Sequence, residues 1–213
     1  MLYGLILIAL IIAIGVVVFK LKKQPKKSRA ERLGEEGERR LIKEYQQHFS
    51  APYDLINNCT LADEANGSTQ IDHIILSPYG IFVLESKNYS GWIFGEEKQK
   101  QWTQVLYQKK YTFQNPLLQN YKHVKVLEKL LEIPFAQLHS VVVFSEKSEF
   151  KTVMPNNVLQ GVAWVSYVKG FQQKIFSEAQ LKQMQRTLSQ KRMADNARTQ
   201  RLHVQNLKNK KPT

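Results

Sequence analysis

The sequence predicts an α/β domain, a mixed central β-sheet flanked by helices, behind one N-terminal transmembrane helix. Three observations lead there. Hydrophobic residues make up 43% of the 213 residues, enough for a packed core. The apolar pattern switches between the helical period and short β-branched runs bounded by turn residues. These patterns follow the order helix, several strands, helix, strand, strand, helix. That order suits an α/β or α+β domain of roughly 145 residues with a mixed sheet.

The elements read in order as follows. No charged residue occurs from Met1 to Phe19. As a helix this stretch spans roughly 28 Å, close to the hydrocarbon thickness of a bilayer. A cleaved signal peptide would need a basic start and a small-residue cleavage site. The run instead ends in Lys20-Leu21-Lys22-Lys23. Basic residues on its C-terminal side predict an outside N-terminus and a cytoplasmic body. Residues 20–30, with Pro25, read as a basic juxtamembrane linker suited to anionic lipid headgroups. Leu33, Leu41, Ile42 and Tyr45 give residues 31–48 an amphipathic helical stripe, ended by Pro52.

Strands are expected at Asp54–Leu61, Gln70–Leu76 and Ile81–Lys87, the last two separated by Ser77-Pro78-Tyr79-Gly80. Gly91–Phe94, Gln101–Tyr107 and Tyr111–Phe113 follow, with Lys109-Lys110 expected at a hairpin tip. Asn115-Pro116 opens a helix to Leu131, with Leu117, Tyr121, Val124, Leu127, Leu130 and Leu131 on its apolar face. Leu138–Ser145 holds a buried strand, Val162–Val165 a short one, and Ser166–Phe176 a helix. Residues 31–177 thus form the domain, and 178–213 read as a basic, partly helical, solvated tail.

The formal charge of +13 points to nucleic acid or an anionic membrane as partner. Its distribution weakens the bulk argument. Residues 20–32 carry seven basic residues against one acid, and residues 178–213 carry nine against two. The stretch 33–177 holds 15 of each and is formally neutral. The single cysteine, Cys59, excludes an intrachain disulfide and a cysteine-based zinc site.

Chemistry concentrates in Gln70–Gly91. Asp72 interrupts an apolar strand, and Glu85 and Lys87 share a face at the end of another. With a two- or four-residue turn between the strands, Asp72 lies opposite Glu85, within about 5 Å. With a three-residue turn the two face apart. Paired carboxylates call for a cation, and Mg2+ or Mn2+ suits oxygen ligands. A neighbouring lysine can position water or stabilise a phosphate. The same residue types also make an ordinary ion-pair network on a half-exposed face. His73 should point to the other face as a core histidine, and Trp92 and Trp102 read as core residues. His48, His139 and His203 show no ligand spacing. There is no P-loop, Rossmann fingerprint or Ser/His/Asp arrangement.

Several segments agree in order and spacing with one known family. These are Glu31–Leu41 (ERLGEEGERRL), the Asp72-His73 and Glu85-Ser86-Lys87 segments, Gly91-Trp92-Ile93, Trp102, and Asn115-Pro-Leu-Leu-Gln-Asn120 followed by His123. Over roughly residues 31–145 the chain resembles the nuclease-related domain (NERD), a branch of the PD-(D/E)XK restriction-endonuclease-like fold. The resemblance implies Mg2+-dependent hydrolysis of DNA or RNA. It implies that Asp72 is the second-strand acid, that Glu85 and Lys87 are the (D/E)-x-K pair, and that Glu38 is the helix carboxylate near the metal. Gln119 matches the glutamine of the helix after the sheet, and His123 shares its face. The metal ligands implied are Asp72, Glu85 and Glu38. The alternative is a catalytically silent nuclease fold that binds nucleic acid or protein at the membrane.

Overall fold

The computed structural model describes residues 28–64 and 67–194, together with Thr199, Leu202, Gln205 and Asn206. The anchor expected at 1–19, most of the 20–30 linker and most of the tail beyond 194 lie outside the described residues. No helix among the described residues is long and apolar enough to cross a membrane. The chain divides into two units, residues 1–33 and 34–213.

Helix α1 spans Arg29–His48. The Ser28 hydroxyl accepts from the Glu31 amide at 3.1 Å, and the Glu31 carboxylate accepts from the Ser28 amide at 2.6 Å. This reciprocal capping satisfies two donors that would otherwise be orphaned at the helix start. Strands β1 (Asp54–Asp63), β2 (Gly67–Ser77) and β3 (Gly80–Lys87) form an antiparallel meander. Strands β4 (Gly91–Phe94), β5 (Gln101–Leu106) and β6 (Lys109–Gln114) form a second one. Helix α2 spans Pro116–Leu131. A 3-10 turn (Phe135–Gln137), β7 (Leu138–Phe144), β8 (Ser148–Phe150) and β9 (Val158–Gln160) follow. Helices α3 (Ala163–Lys169) and α4 (Glu178–Lys191) complete the described elements.

The strands make two sheets rather than one. The central sheet has the order β1-β2-β3-β7-β9, and β7 runs parallel to both β3 and β9. The smaller sheet has the order β6-β5-β4-β8. One face of the central sheet (Ile74, Leu76, Ile81, Val83) packs on Val124 and Leu127 of α2 and on Leu181, Met184 and Leu188 of α4. The other (Ile75, Phe82, Leu84, Val141, Val143) packs on Leu41 of α1 and on Trp164, Val165 and Val168 of α3. Both faces are therefore covered, as expected of a sheet with parallel strands.

Four local expectations change. The β5–β6 turn is Tyr107-Gln108, with Tyr107 at φ +55, so Lys109 and Lys110 already belong to β6. The short strand lies at Val158–Gln160, where it pairs with β7, and Val162–Val165 instead opens α3. The backbone reversal at Gly161, φ +55, separates the two. The α2 face that meets the sheet carries Asn120 and His123, while Tyr121 is exposed. Finally, the start of the expected solvated tail is α4, whose Leu181, Met184 and Leu188 are core residues. The stripe was visible as a period; only packing gives it a partner.

Candidate active site

The β2–β3 connection decides which way the carboxylates face. Ser77 pairs with Gly80 and His73 with Leu84, so the turn is the two residues Pro78-Tyr79. The Ser77 hydroxyl closes it, donating to the Gly80 carbonyl at 2.9 Å. Continued one step past its last pair, this register brings Asp72 alongside Glu85 at the end of β3. Strand alternation puts Glu85 on the α2 side, with Val83.

Glu85 is buried and flanked by two cationic or polar groups. Lys87 Nζ stands 2.5 Å from Oε1. His123 Nε2 stands 3.3 Å from Oε2, at ion-pair distance but off hydrogen-bond alignment. Burial pushes the Glu85 carboxyl up, but Lys87 and His123 outweigh it and hold the group below its ordinary range. Burial pulls the Lys87 ammonium down, yet the Glu85 and Asp72 carboxylates bring it above its ordinary value. Lys87 also donates to the Gln119 side-chain oxygen at 3.1 Å. Asp72 accepts from the Ser86 amide at 2.9 Å and from the Ser86 hydroxyl at 3.2 Å. Burial first, and then the Glu85 charge, push its carboxyl up to about 8.

Helix α2 delivers Gln119 and His123. Asn115 caps it by accepting from the Leu117 amide at 2.9 Å, and its side-chain nitrogen donates to the Glu97 and Gln99 carbonyls at 2.9 and 2.7 Å. Asn120 pins the helix to the sheet. Its amide nitrogen donates to the Val83 carbonyl at 2.7 Å, the Ser140 hydroxyl at 2.9 Å and the Val141 carbonyl at 3.3 Å. His123 Nδ1 and the Thr69 hydroxyl of β2 share a hydrogen bond at 2.8 Å. A polar chain thus runs Thr69–His123–Glu85–Lys87–Gln119.

Helix α1 brings Glu38 nearby. A Cβ at Gly37 would stand 2.8 Å from Asn88 Cβ, so a glycine is needed where the helix meets the residue after Lys87. Glu38 lines a cleft of about 300 Å³ with Glu35, Asn58, Thr60 and Gln70. Burial raises its carboxyl, the Asn58 side chain opposes this, and the Glu35 and Glu85 charges add to it. It acts in turn on Asp72 by repulsion.

Asp72, Glu85, Lys87 and Gln119 therefore converge, with Glu38 in the adjoining cleft. Among the described residues no group of three or more His, Cys, Asp or Glu is arranged to hold a metal. A two-carboxylate set nonetheless fits Mg2+, which usually takes one or two carboxylates and fills its shell with water and phosphate oxygens. Two features support the fit. Glu85 Oε2 is a buried oxygen without a hydrogen-bond partner. The raised Asp72 carboxyl is a paired acid that favours a proton or a cation.

His73 lies on the opposite face as a fully buried residue, hydrogen-bonded through Nδ1 to Asn57 at 2.7 Å. Burial lowers it to about 4, so it is neutral at ordinary pH. Thr69, Ser86 and Asn120 escape the residue-type argument. Asn120 and His123 had one signal: counting back from Leu127 at helical spacing puts both on the buried stripe.

The profile of the nuclease-related domain matches residues 33–145. An uncharacterized protein of Bacillus anthracis is 39% identical over 153 residues, covering 72% of this chain and 68% of that protein. The chain belongs to the nuclease-related domain family. The matched region begins in α1 and ends just after β7, and so includes every residue of the site just described. No solved structure matches the chain.

Proposed function

We propose that this nuclease-related domain protein is a membrane-anchored, cytoplasmic hydrolase of phosphodiesters in DNA or RNA, working with Mg2+ or Mn2+. The observation that carries the reading is the meeting of Asp72, Glu85, Lys87 and Gln119 at the end of β3. Asp72 and Glu85 would hold the ion, with Glu38 supporting from the cleft. When bound, the ion supplies Lewis-acid polarisation of the phosphate and activation of water. Lys87, held as an ammonium by its neighbours, is a hydrogen-bond donor rather than a resting base. It would orient the attacking water and stabilise negative charge growing on the phosphate oxygens. Gln119 fixes the direction of the ammonium, and His123 holds the rear of Glu85. Water oxygen bonds to phosphorus, one ester P–O bond breaks, and the departing oxygen gains a proton.

The anchoring part of the reading is supported by the uncharged run 1–19 and the basic residues after it, which would also meet anionic lipid. The test of catalysis is the full-length chain with single- and double-stranded DNA and RNA, with Mg2+, Mn2+ or chelator, beside Asp72→Ala and Lys87→Ala. Metal-dependent cleavage that both variants lose by at least about a hundredfold is expected. Equal cleavage by all three proteins would sink the assigned roles. A silent binding module is favoured by one observation: both Glu85 oxygens already face Lys87 or His123. Calorimetry separates the readings, since Mn2+ binding that Asp72→Ala abolishes belongs to the hydrolase alone.

A further inference from the structure

The two tryptophans expected in the core have opposite fates. Trp102 is fully buried, stacked on Phe144 at 6.1 Å, and its indole N–H donates to the Glu96 carbonyl at 3.0 Å. Trp92, on β4, is 49% exposed. The alternation of β4 explains the split: Ile93 points into the core cluster, so Trp92 and Phe94 point the other way. Strand pairing continues that outer face. Val105 pairs with Trp92 and with Lys110 beyond it, and Thr103 pairs with Phe94 and with Thr112. On the other side, Glu149 of β8 pairs with Trp92. Lys151 forms an ion pair with Glu149 and places Nζ over the indole at 4.7 Å. The stretch from Gln101 to Gln114 contains no acidic residue.

Ile93 fills the core side of β4, while Trp92 stands half exposed on the other. It leaves a large π-surface at the water boundary, with lysines on both flanks. The position is fixed relative to Lys87. Trp92 lies five positions after Lys87, so their Cα atoms are at most about 18 Å apart. The connection is tied to the small sheet: Gln104 donates to the Ser90 carbonyl at 2.7 Å. Gly91, φ +80, lies where a Cβ would stand 2.4 Å from the Val105 carbonyl oxygen.

We propose that this outer face of the small sheet is a platform for single-stranded nucleic acid. Trp92 stacks on one unpaired base, and Lys110 and Lys151 take phosphates on either side. The proposal rests on the nucleic-acid reading of the site and narrows its substrate class to strands with unstacked bases. Such a platform suits single strands because a duplex keeps its base faces inside, whereas an aromatic side chain stacks on any exposed base.

Fluorescence anisotropy of the full-length chain with labelled oligo-dT, oligo-U and a duplex of equal length, in chelator so that nothing is cleaved, tests this. Single strands should bind more tightly than the duplex and quench indole emission. Trp92→Ala should weaken single-strand binding about tenfold, and Trp92→Phe should restore most of it. Lys110→Ala should reduce the salt dependence by about one ion. Binding of both oligonucleotides, or of one only, supports the platform, the second case also naming the sugar read. Duplex preference, or unchanged affinity in a folded Trp92→Ala protein, overturns it. A chain that binds through Trp92 but never cleaves would reject the hydrolase and keep the platform. A chain that cleaves yet ignores Trp92→Ala would do the reverse.

Discussion

The central sheet and the small sheet solve opposite problems with similar residue types. The central sheet is covered on both faces, so the charged residues buried at the end of β3 stand in a closed set. Asp72 is met by Ser86, Glu85 by Lys87 and His123, and Lys87 by Gln119. The small sheet turns one face, with Ile93 and Trp102, onto Val142, Phe144 and Val158, and leaves Trp92 on the other face half exposed to water. There Lys110 and Trp92 need no such network. The lesson is that a lysine on β3 and a lysine on β6 carry different information. The first is there because a specific carboxylate stabilises it; the second is there because water does.

The contrast is broken most forcefully at Lys87. Lys87→Ala leaves Glu85 buried without its main cation, and should lower stability by about 3–5 kcal/mol in chemical denaturation as well as abolish turnover. A loss below about 1 kcal/mol would mean that Glu85 is better solvated than its burial indicates. Asn120→Ala comes next. It strips donors from the Val83 and Val141 carbonyls and should cost about 1–3 kcal/mol, with cleavage falling because Gln119 and His123 lose their mounting. Retention of both stability and activity would separate α2 docking from the site.

Asp72→Asn sharpens the comparison through pH. The folded Asp72 carboxyl lies above its ordinary value, at about 8, so between about 4 and 8 the native state binds more protons than the unfolded one. Metal-free stability should therefore fall as pH rises across that window. Asp72→Asn should flatten the fall and stabilise the metal-free chain at pH 8 by about 1 kcal/mol or more, with little gain at pH 4. Parallel melting-temperature profiles for the two proteins would refute the proposed burial cost. The smallest effect is expected on the other sheet, where Trp92→Ala should change stability by less than about 1 kcal/mol. A loss approaching that of a core tryptophan would mean that the outer face is covered by something other than water.

Much of the site was legible in advance because it is local. Asp72, Glu85 and Lys87 lie within sixteen residues on two adjacent strands, and side-chain alternation orders them without knowledge of the rest. What stayed open was the turn, since Ser77–Gly80 could hold two, three or four loop residues, and one residue of slip reverses every side chain. Asn120 was hidden because an asparagine amid apolar residues reads as surface until carbonyls of β3 and β7 are known to face it. The α4 stripe read as solvated because three apolar residues cannot form a core alone; they needed the face of β1–β3.

By itself the sequence determined the alternation of helices and strands, the neutral body between two basic ends, and the acid–acid–lysine set. Periodicity, charge and strand parity are properties of neighbouring residues, so they need no third dimension. Only the tertiary structure decided that the strands divide into two sheets, that Trp102 is buried while Trp92 meets water, and that His123 and Gln119 close on Glu85 and Lys87. Those outcomes depend on contacts between segments 30 or more residues apart, whose geometry is set by how the whole core packs rather than by any local pattern.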